Sequence, residues 1–392
     1  MTTLATTVLG INFENPFILA SAPPTAKIES IDKAFSLGWG GAVFKTITPD
    51  NLEMIEASPR YATWKVGNKI CGFENIELLS HLTVQQWLDG IKYLRQKHPN
   101  KVQIASIMAP VVKEEWQNLV RTFNNSEIDA FELNFSCPHG MPEKGIGMAI
   151  GTSEEISAMI TGWVKDVAQK PVFVKLSPNV SDIAEIAKAV ENAGADGFAA
   201  INTVQSLMGI DLETFEPQPN VNGKSTYGGY SGFAVKPIGL RCVAQIRQNS
   251  DLPILGIGGI SNWHDAAEYI CVGADVVQVC TEVMINGYAI INAMKQGLLT
   301  YLENKGLNSP ADLKNKAIAK LTAHETLNKG KQVYPHINDI SCIKCGKCVT
   351  ICDESEHSAL SLINGHIEVN KEACVGCSLC THICPKYAIE MK

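Results

Sequence analysis

The sequence predicts an α/β protein, a (β/α)8 barrel followed by a small cysteine-rich α+β domain. Two observations carry that prediction. Eight apolar strand-like runs alternate with amphipathic helical stretches, a pattern that calls for a parallel sheet covered on both faces. The composition then changes abruptly, and residues 338–392 hold eight of the thirteen cysteines. Eight strand–helix units over roughly 280 residues fit a closed barrel. An open doubly wound sheet is the competing arrangement. The polar connector NKGKQVYPHIND puts the boundary near residue 332, giving domains 1–331 and 332–392.

The expected strands are FILAS (17–21), GAVFKT (41–46), VQIASI (102–107), AFELNFS (130–136), VFVKLS (172–177), GFAAINT (197–203), PILGIGG (253–259) and DVVQVCT (275–281). Between the later ones lie SDIAEIAKAVENAGAD (181–196) and NWHDAAEYICVGAD (262–275). Both have helical periodicity and end in Gly-Ala-Asp, a turn into the next strand. Two further helices are expected, from Met284 to Lys305 and from Ala311 to Leu327.

The 392 residues are 45% apolar and 19% charged, an ordinary globular composition. A net charge of −7 gives the chain as a whole no footprint for nucleic acid or an anionic membrane. No run of apolar residues is long enough to span a bilayer. The start, MTTLATTVLGINFENPF, lacks a basic region followed by an apolar one, so no secretory signal is expected. A cytoplasmic setting follows, and there cysteines serve metals more often than disulfides.

Cys342-x2-Cys345-x2-Cys348-x3-Cys352 is repeated as Cys374-x2-Cys377-x2-Cys380-x3-Cys384-Pro385. The offset between the copies is the same at every cysteine. This is the two-cluster ferredoxin pattern, in which the fourth cysteine ligates the other cluster. One [4Fe–4S] cluster takes Cys342, Cys345, Cys348 and Cys384. The other takes Cys374, Cys377, Cys380 and Cys352. Thiolates are soft ligands that suit iron and sulfide. A zinc site is the alternative, but three cysteines at this spacing, twice over, are unusual for zinc. Asp353 replaces the proline expected after Cys352, which touches local packing and leaves the ligands intact.

Chemistry on a (β/α)8 barrel sits at the carboxyl ends of its strands. Those ends carry Ser21-Ala22, Lys45-Thr46, Asn134-Phe135-Ser136-Cys137, Lys175, Asn202-Thr203, Gly258-Gly259 and Cys280-Thr281. Lysines inside apolar strands need an anion, either a structural carboxylate or a bound ligand. Two of them beside two asparagines favour the ligand. Gly258-Gly259 before Ser261-Asn262 offers bare backbone N–H groups to a phosphate at a helix start. Single electrons from clusters and a phosphate site together point to a flavin, and FMN has one phosphate. No G-x-G-x-x-G occurs, so a nicotinamide would bind another subunit.

The segments NFSCPHGMPEKGIGMAIG, KLSPNVSDI, GADGFAAINTVQSLMGIDL, TYGGYSGFAVKPI, GIGGI and QVCT, with the terminal ferredoxin, resemble the dihydropyrimidine dehydrogenase family over nearly the whole chain. They are most similar to its bacterial FMN and iron–sulfur subunits. The barrel is also similar to dihydroorotate dehydrogenase, which shares Asn-x-Ser-Cys-Pro. The resemblance implies reduction of the 5,6 double bond of uracil or thymine. It implies that Cys137 is the acid protonating C5 and that Asn75, Asn134, Asn202 and Thr203 hydrogen-bond the ring. Ser21, Ala22, Lys45, Asn134, Lys175, Asn202, Ser231, Gly232, Gly258, Gly259, Cys280 and Thr281 fall on segments that line FMN. Ser136 and His139 flank the acid, and the glycines at 140, 145, 147 and 151 suit a hinged loop. The family's FAD and nicotinamide portion is missing here, which implies a separate FAD and NAD(P)H-binding partner in a hetero-oligomer such as a heterotetramer. A dihydroorotate-type enzyme and a catalytically silent electron-transfer subunit are the competing functions.

Overall fold

The computed structural model describes residues 2–52, 55–135 and 148–392. They form two compact units, Met1–Lys320 and Leu321–Lys392.

The first unit is built on eight parallel strands, β1 (Phe17–Leu19), β2 (Gly41–Val43), β3 (Val102–Ile107), β4 (Ala130–Asn134), β5 (Val172–Leu176), β6 (Gly197–Ala200), β7 (Ile254–Ile257) and β8 (Val276–Val279). Neighbours in sequence are neighbours in the sheet, and β8 pairs with β1 to close the barrel. Side chains alternate between the two faces of each strand. Ile18, Val43, Ile104, Ala130, Phe173, Ala199, Leu255 and Val276 therefore form one apolar cluster, which also takes in Val8 and Phe13 of the N-terminal hairpin. Their strand neighbours, such as Phe17, Leu19, Val172 and Val174, pack with the helices in a second and larger cluster. Thr83, Ser153, Asp182 and Asn262 cap the helices that begin after them, each accepting a backbone N–H.

A four-stranded antiparallel sheet departs from the barrel pattern. Its strands, in spatial order, are Val204–Ser206, Gly228–Ser231, Lys69–Asn75 and Tyr61–Val66. Gly72 is required there, because a Cβ would fall 1.8 Å from the Tyr230 hydroxyl.

The expected C-terminal helices are only partly formed. Met284–Lys305 is two helices, Thr281–Asn286 and Ile290–Asn304, split at Gly287 with φ of +78°. Ala311–Leu327 is not a helix. One turn, Pro310–Leu313, ends before Asn315, whose φ is +65°. Only isolated 3-10 turns follow, with no buried residue to anchor a longer helix.

The second unit has two hairpin-like pairs, Pro335–Ile337 with Ile389–Met391 and Leu360–Ile363 with His366–Val369. Two short helices, Lys347–Glu354 and Leu379–Ile383, each begin inside a cysteine repeat. Leu360, Ile367 and Ile389 make a small core with Cys348 and Cys380.

Candidate active site

A cavity opens at the carboxyl ends of the barrel strands. Every residue expected to hold flavin or substrate and described in the structure lines it, including Asn75 and Ser231 from the inserted sheet as well as the strand-end set. Gly151, expected in the hinged loop, does not line it. Cys137, with Ser136, His139 and the glycines at 140, 145 and 147, lies outside the described residues.

The strand ends are joined by a chain of amides and hydroxyls. Asn202 Nδ2 donates to Asn134 Oδ1 at 3.2 Å, and Asn134 Nδ2 donates to Thr46 Oγ1 at 2.9 Å. Thr46 in turn meets Ser21 and Ser106. The chain fixes which way each amide faces, and oriented amides can serve a ring with alternating donors and acceptors. The Thr203 hydroxyl and the Gln278 amide oxygen are buried and make no hydrogen bond. Buried polar atoms of that kind call for a partner, and on a cavity wall a ligand or a water can supply it.

Neither buried lysine stands alone: each lines the cavity and also has a structural carboxylate beside it. Lys175 Nζ lies 3.4 Å from Glu132 Oε1, on β4 inside the barrel. Gln278 Nε2 holds the other carboxylate oxygen at 2.7 Å. Lys45 Nζ donates to Glu77 Oε2 at 2.8 Å. Glu77 follows closely on Asn75, whose Oδ1 accepts the Glu77 N–H and whose Nδ2 donates to the Gly229 carbonyl. Burial, and then Glu77 beside it, raise the Tyr61 hydroxyl above its usual range.

Around the glycine pair the expected bare N–H groups are only partly available. Ser261 N–H donates to the Asp265 carboxylate at 2.9 Å, so it is taken. Gly259 N–H makes no hydrogen bond among the described residues. Its φ is +69°, and a Cβ would sit 2.7 Å from the Lys236 nitrogen. Only glycine fits there, and it leaves backbone open to the cavity. Thr281 Oγ1 donates to Ser231 Oγ at 2.9 Å, tying β8 to the inserted sheet. Burial pushes the Cys280 thiol up to about 11, with Lys175 and Lys45 pulling against that rise. A thiol so placed is protonated at neutral pH and suits packing better than nucleophilic attack.

Sequence reasoning missed Tyr61, Phe73, Glu77, Tyr230, Gln278 and Glu132. The first two had a signal. Strand-like residues on both sides of Gly67-Asn68 are a hairpin pattern. Glu132 carried the same mark as Lys175, a charge inside an apolar strand.

In the second unit, Cys352, Cys374, Cys377 and Cys380 line one cavity with Pro335, Leu360 and Met391. Cys352 comes from the first repeat and the other three from the second. Cys342 and Cys384 pack in the same small core as Cys348.

A closed parallel barrel with a cavity at its strand ends, followed by a unit of repeated Cys-x2-Cys-x2-Cys-x3-Cys motifs, fits the class of iron–sulfur oxidoreductases. Residues 3–302 match the model of the family described as dihydroorotate dehydrogenase, and residues 335–391 match a 4Fe-4S dicluster domain. The chain belongs to that dihydroorotate dehydrogenase family of oxidoreductases and carries a 4Fe-4S dicluster domain at its C-terminal end. It is 40% identical to the NAD-dependent dihydropyrimidine dehydrogenase subunit PreA of Escherichia coli, over 99% of this chain and 95% of that protein. It is 36% identical to the chloroplastic dihydropyrimidine dehydrogenase (NADP(+)) of Arabidopsis thaliana, over 83% and 79%. The catalytic subunit of dihydroorotate dehydrogenase B (NAD(+)) from Pyrococcus abyssi is 37% identical, over 79% of this chain and 97% of its own length. No helix among the described residues is long and apolar enough to cross a membrane.

Proposed function

We propose that this chain is the pyrimidine-reducing subunit of an NAD(P)H-dependent dihydropyrimidine dehydrogenase, converting uracil or thymine to the 5,6-dihydro base. The observation that carries this reading is the convergence of the strand-end asparagines, lysines and glycines on one cavity. The full-length likeness to a subunit of such an enzyme supports it.

The residues present fit FMN. Gly259 offers an open backbone N–H to the cavity, and the Gln278 amide oxygen on its wall is buried without a partner. Ser21, Ala22, Lys45, Asn134, Lys175, Asn202, Ser231, Gly232, Gly258, Gly259, Cys280 and Thr281 would hold it. Bound FMN supplies hydride for C6 of the ring. Asn75, Asn134, Asn202 and Thr203 orient the ring through its amide-like edge. The Thr203 hydroxyl, buried without a partner, gains one in the complex. Cys137 gives its proton to C5. A thiol with an ordinary pKa near 8.5 is mostly protonated at neutral pH and is a far better acid than serine.

Cys342, Cys345, Cys348 and Cys384 would hold one [4Fe–4S] cluster and Cys374, Cys377, Cys380 and Cys352 the other, groups that would supply single-electron transfer. A separate subunit with FAD and the NAD(P)H site feeds them. The absence of a G-x-G-x-x-G motif in this chain agrees with that division of labour.

Anaerobic turnover with a chemically reduced dye tests the reading on uracil, thymine and orotate. Uracil and thymine should be reduced. Cys137→Ser should lose uracil reduction on the order of 10²-fold or more while keeping its flavin. Unchanged turnover in that variant at neutral pH would remove Cys137 from the acid role.

A further inference from the structure

We infer that Glu77 sets the substrate class by occupying Lys45, so that the cavity takes uncharged pyrimidine rings and turns away a ring bearing a carboxylate. The inference rests on the proposed pyrimidine reduction and narrows it.

A ring carboxylate brought into a partly buried cavity needs a cation or several N–H donors. Among the described lining residues the cations are Lys45 and Lys175. Lys175 faces Glu132, which is fully buried and held on its second oxygen by Gln278. Lys45 faces Glu77 at 2.8 Å, and both side chains are only about one-tenth exposed (10% and 12%). Each lining lysine thus has a resident carboxylate, and Glu282 adds a further acid to the wall.

Glu77 is held in place as well as paired. Its N–H donates to Asn75 Oδ1, and its second oxygen lies 3.8 Å from Arg60 Nε. A carboxylated ring reaching Lys45 would meet a carboxylate already there. Displacing Glu77 would leave it with the Tyr61 hydroxyl and with Arg60, the latter at a distance too long for a hydrogen bond, and no cation in direct contact. An uncharged ring makes no such demand, because the asparagine amides and the unpartnered Thr203 hydroxyl answer a neutral edge. Like charges brought together at a binding site are a common means of excluding a near-relative of the substrate.

The test uses the full chain with flavin bound, under anaerobic conditions. Uracil and orotate are each titrated against the flavin absorbance, and each is then turned over with reduced dye. The parent should respond to uracil and not to orotate. In Glu77→Gln the ratio of orotate to uracil, in binding and in kcat/KM, should rise about tenfold or more. Glu77→Asp keeps the charge and should keep the parent's preference. A pair that merely anchors the inserted sheet would move stability in both variants and leave the ratio alone, and that result overturns the inference. So would orotate binding to the parent as tightly as uracil, or loss of flavin in Glu77→Gln but not in Glu77→Asp. A flavin-loaded parent that reduces neither ring refutes the proposed function itself. Uracil turnover with an unmoved ratio refutes only the role of Glu77.

Discussion

Lys175 and Glu132 face each other from adjacent strands at the end of the barrel, 6% and 0% exposed. Removing one of two buried counter-ions leaves the other without compensation, at about 3–5 kcal/mol. Replacing both costs less than the sum, because the uncompensated charge is never created. We expect Lys175→Met and Glu132→Gln each to destabilise the barrel strongly. The double variant should show a coupling of about 1–3 kcal/mol. Tryptophan fluorescence during denaturation reads this directly, since all six tryptophans lie in the first unit. Strictly additive losses would mean that the two side chains do not depend on each other. The pair also shows what was legible at this scale. Lysines in apolar strands were conspicuous, but their partners were not, because sequence spacing does not reveal which carboxylate lies across a strand. Cys137 stood out by its place after Asn134, and its role still rests on that sequence context.

At the scale of elements, the eight barrel strands were legible because parallel strands read as unbroken apolar runs. Their ends were not. The apolar runs continue past the ladder, so FILAS, GAVFKT and GFAAINT overshoot strands that stop at Leu19, Val43 and Ala200. The residues beyond the ladder, among them Ser21, Lys45 and Asn202, line the cavity. The inserted sheet escaped because Val204–Ser206 and Gly228–Ser231 are short, and the longer Tyr61–Val66 and Lys69–Asn75 mix polar residues with apolar ones and form no unbroken apolar run. Glu74 in that sheet is fully buried, with one oxygen accepting from Ser206 and the other unpartnered. Burial raises its carboxyl above the ordinary value, against the pull of the Ser206 hydroxyl. An acid whose folded pKa is raised favours folding most below its unfolded value near 4.5, and that contribution falls away as pH rises through the folded value. Glu74→Gln should therefore be more stable than the parent at neutral pH by about 1 kcal/mol. The difference should vanish below pH 4.5, and thermal unfolding across pH 4 to 8 checks both. A variant less stable at pH 7 would show that the charge is used in place.

At the scale of the molecule, the repeated cysteines predict a crossing of the two halves of the second unit. Cys352 belongs to the first repeat by sequence, yet it lines a cavity with Cys374, Cys377 and Cys380. Burial raises the Cys380 thiol to about 11, and the neighbouring Cys377 and Cys348 add to the rise. Cysteine binds a cluster as its thiolate, so cluster binding should weaken at lower pH. The crossed ligation makes a sharper claim. Cys352→Ala should damage the same cluster as Cys374→Ala, and Cys384→Ala the same cluster as Cys342→Ala. Each variant should retain about half of the parent's iron and sulfide. The spectra of the reduced proteins by electron paramagnetic resonance should then fall into two classes, grouped across the repeats. If Cys352→Ala instead matched Cys342→Ala, each repeat would be holding its own cluster, and the two halves would be independent sites. The crossed outcome makes each repeat necessary to the other, so neither half of the unit can carry its cluster alone.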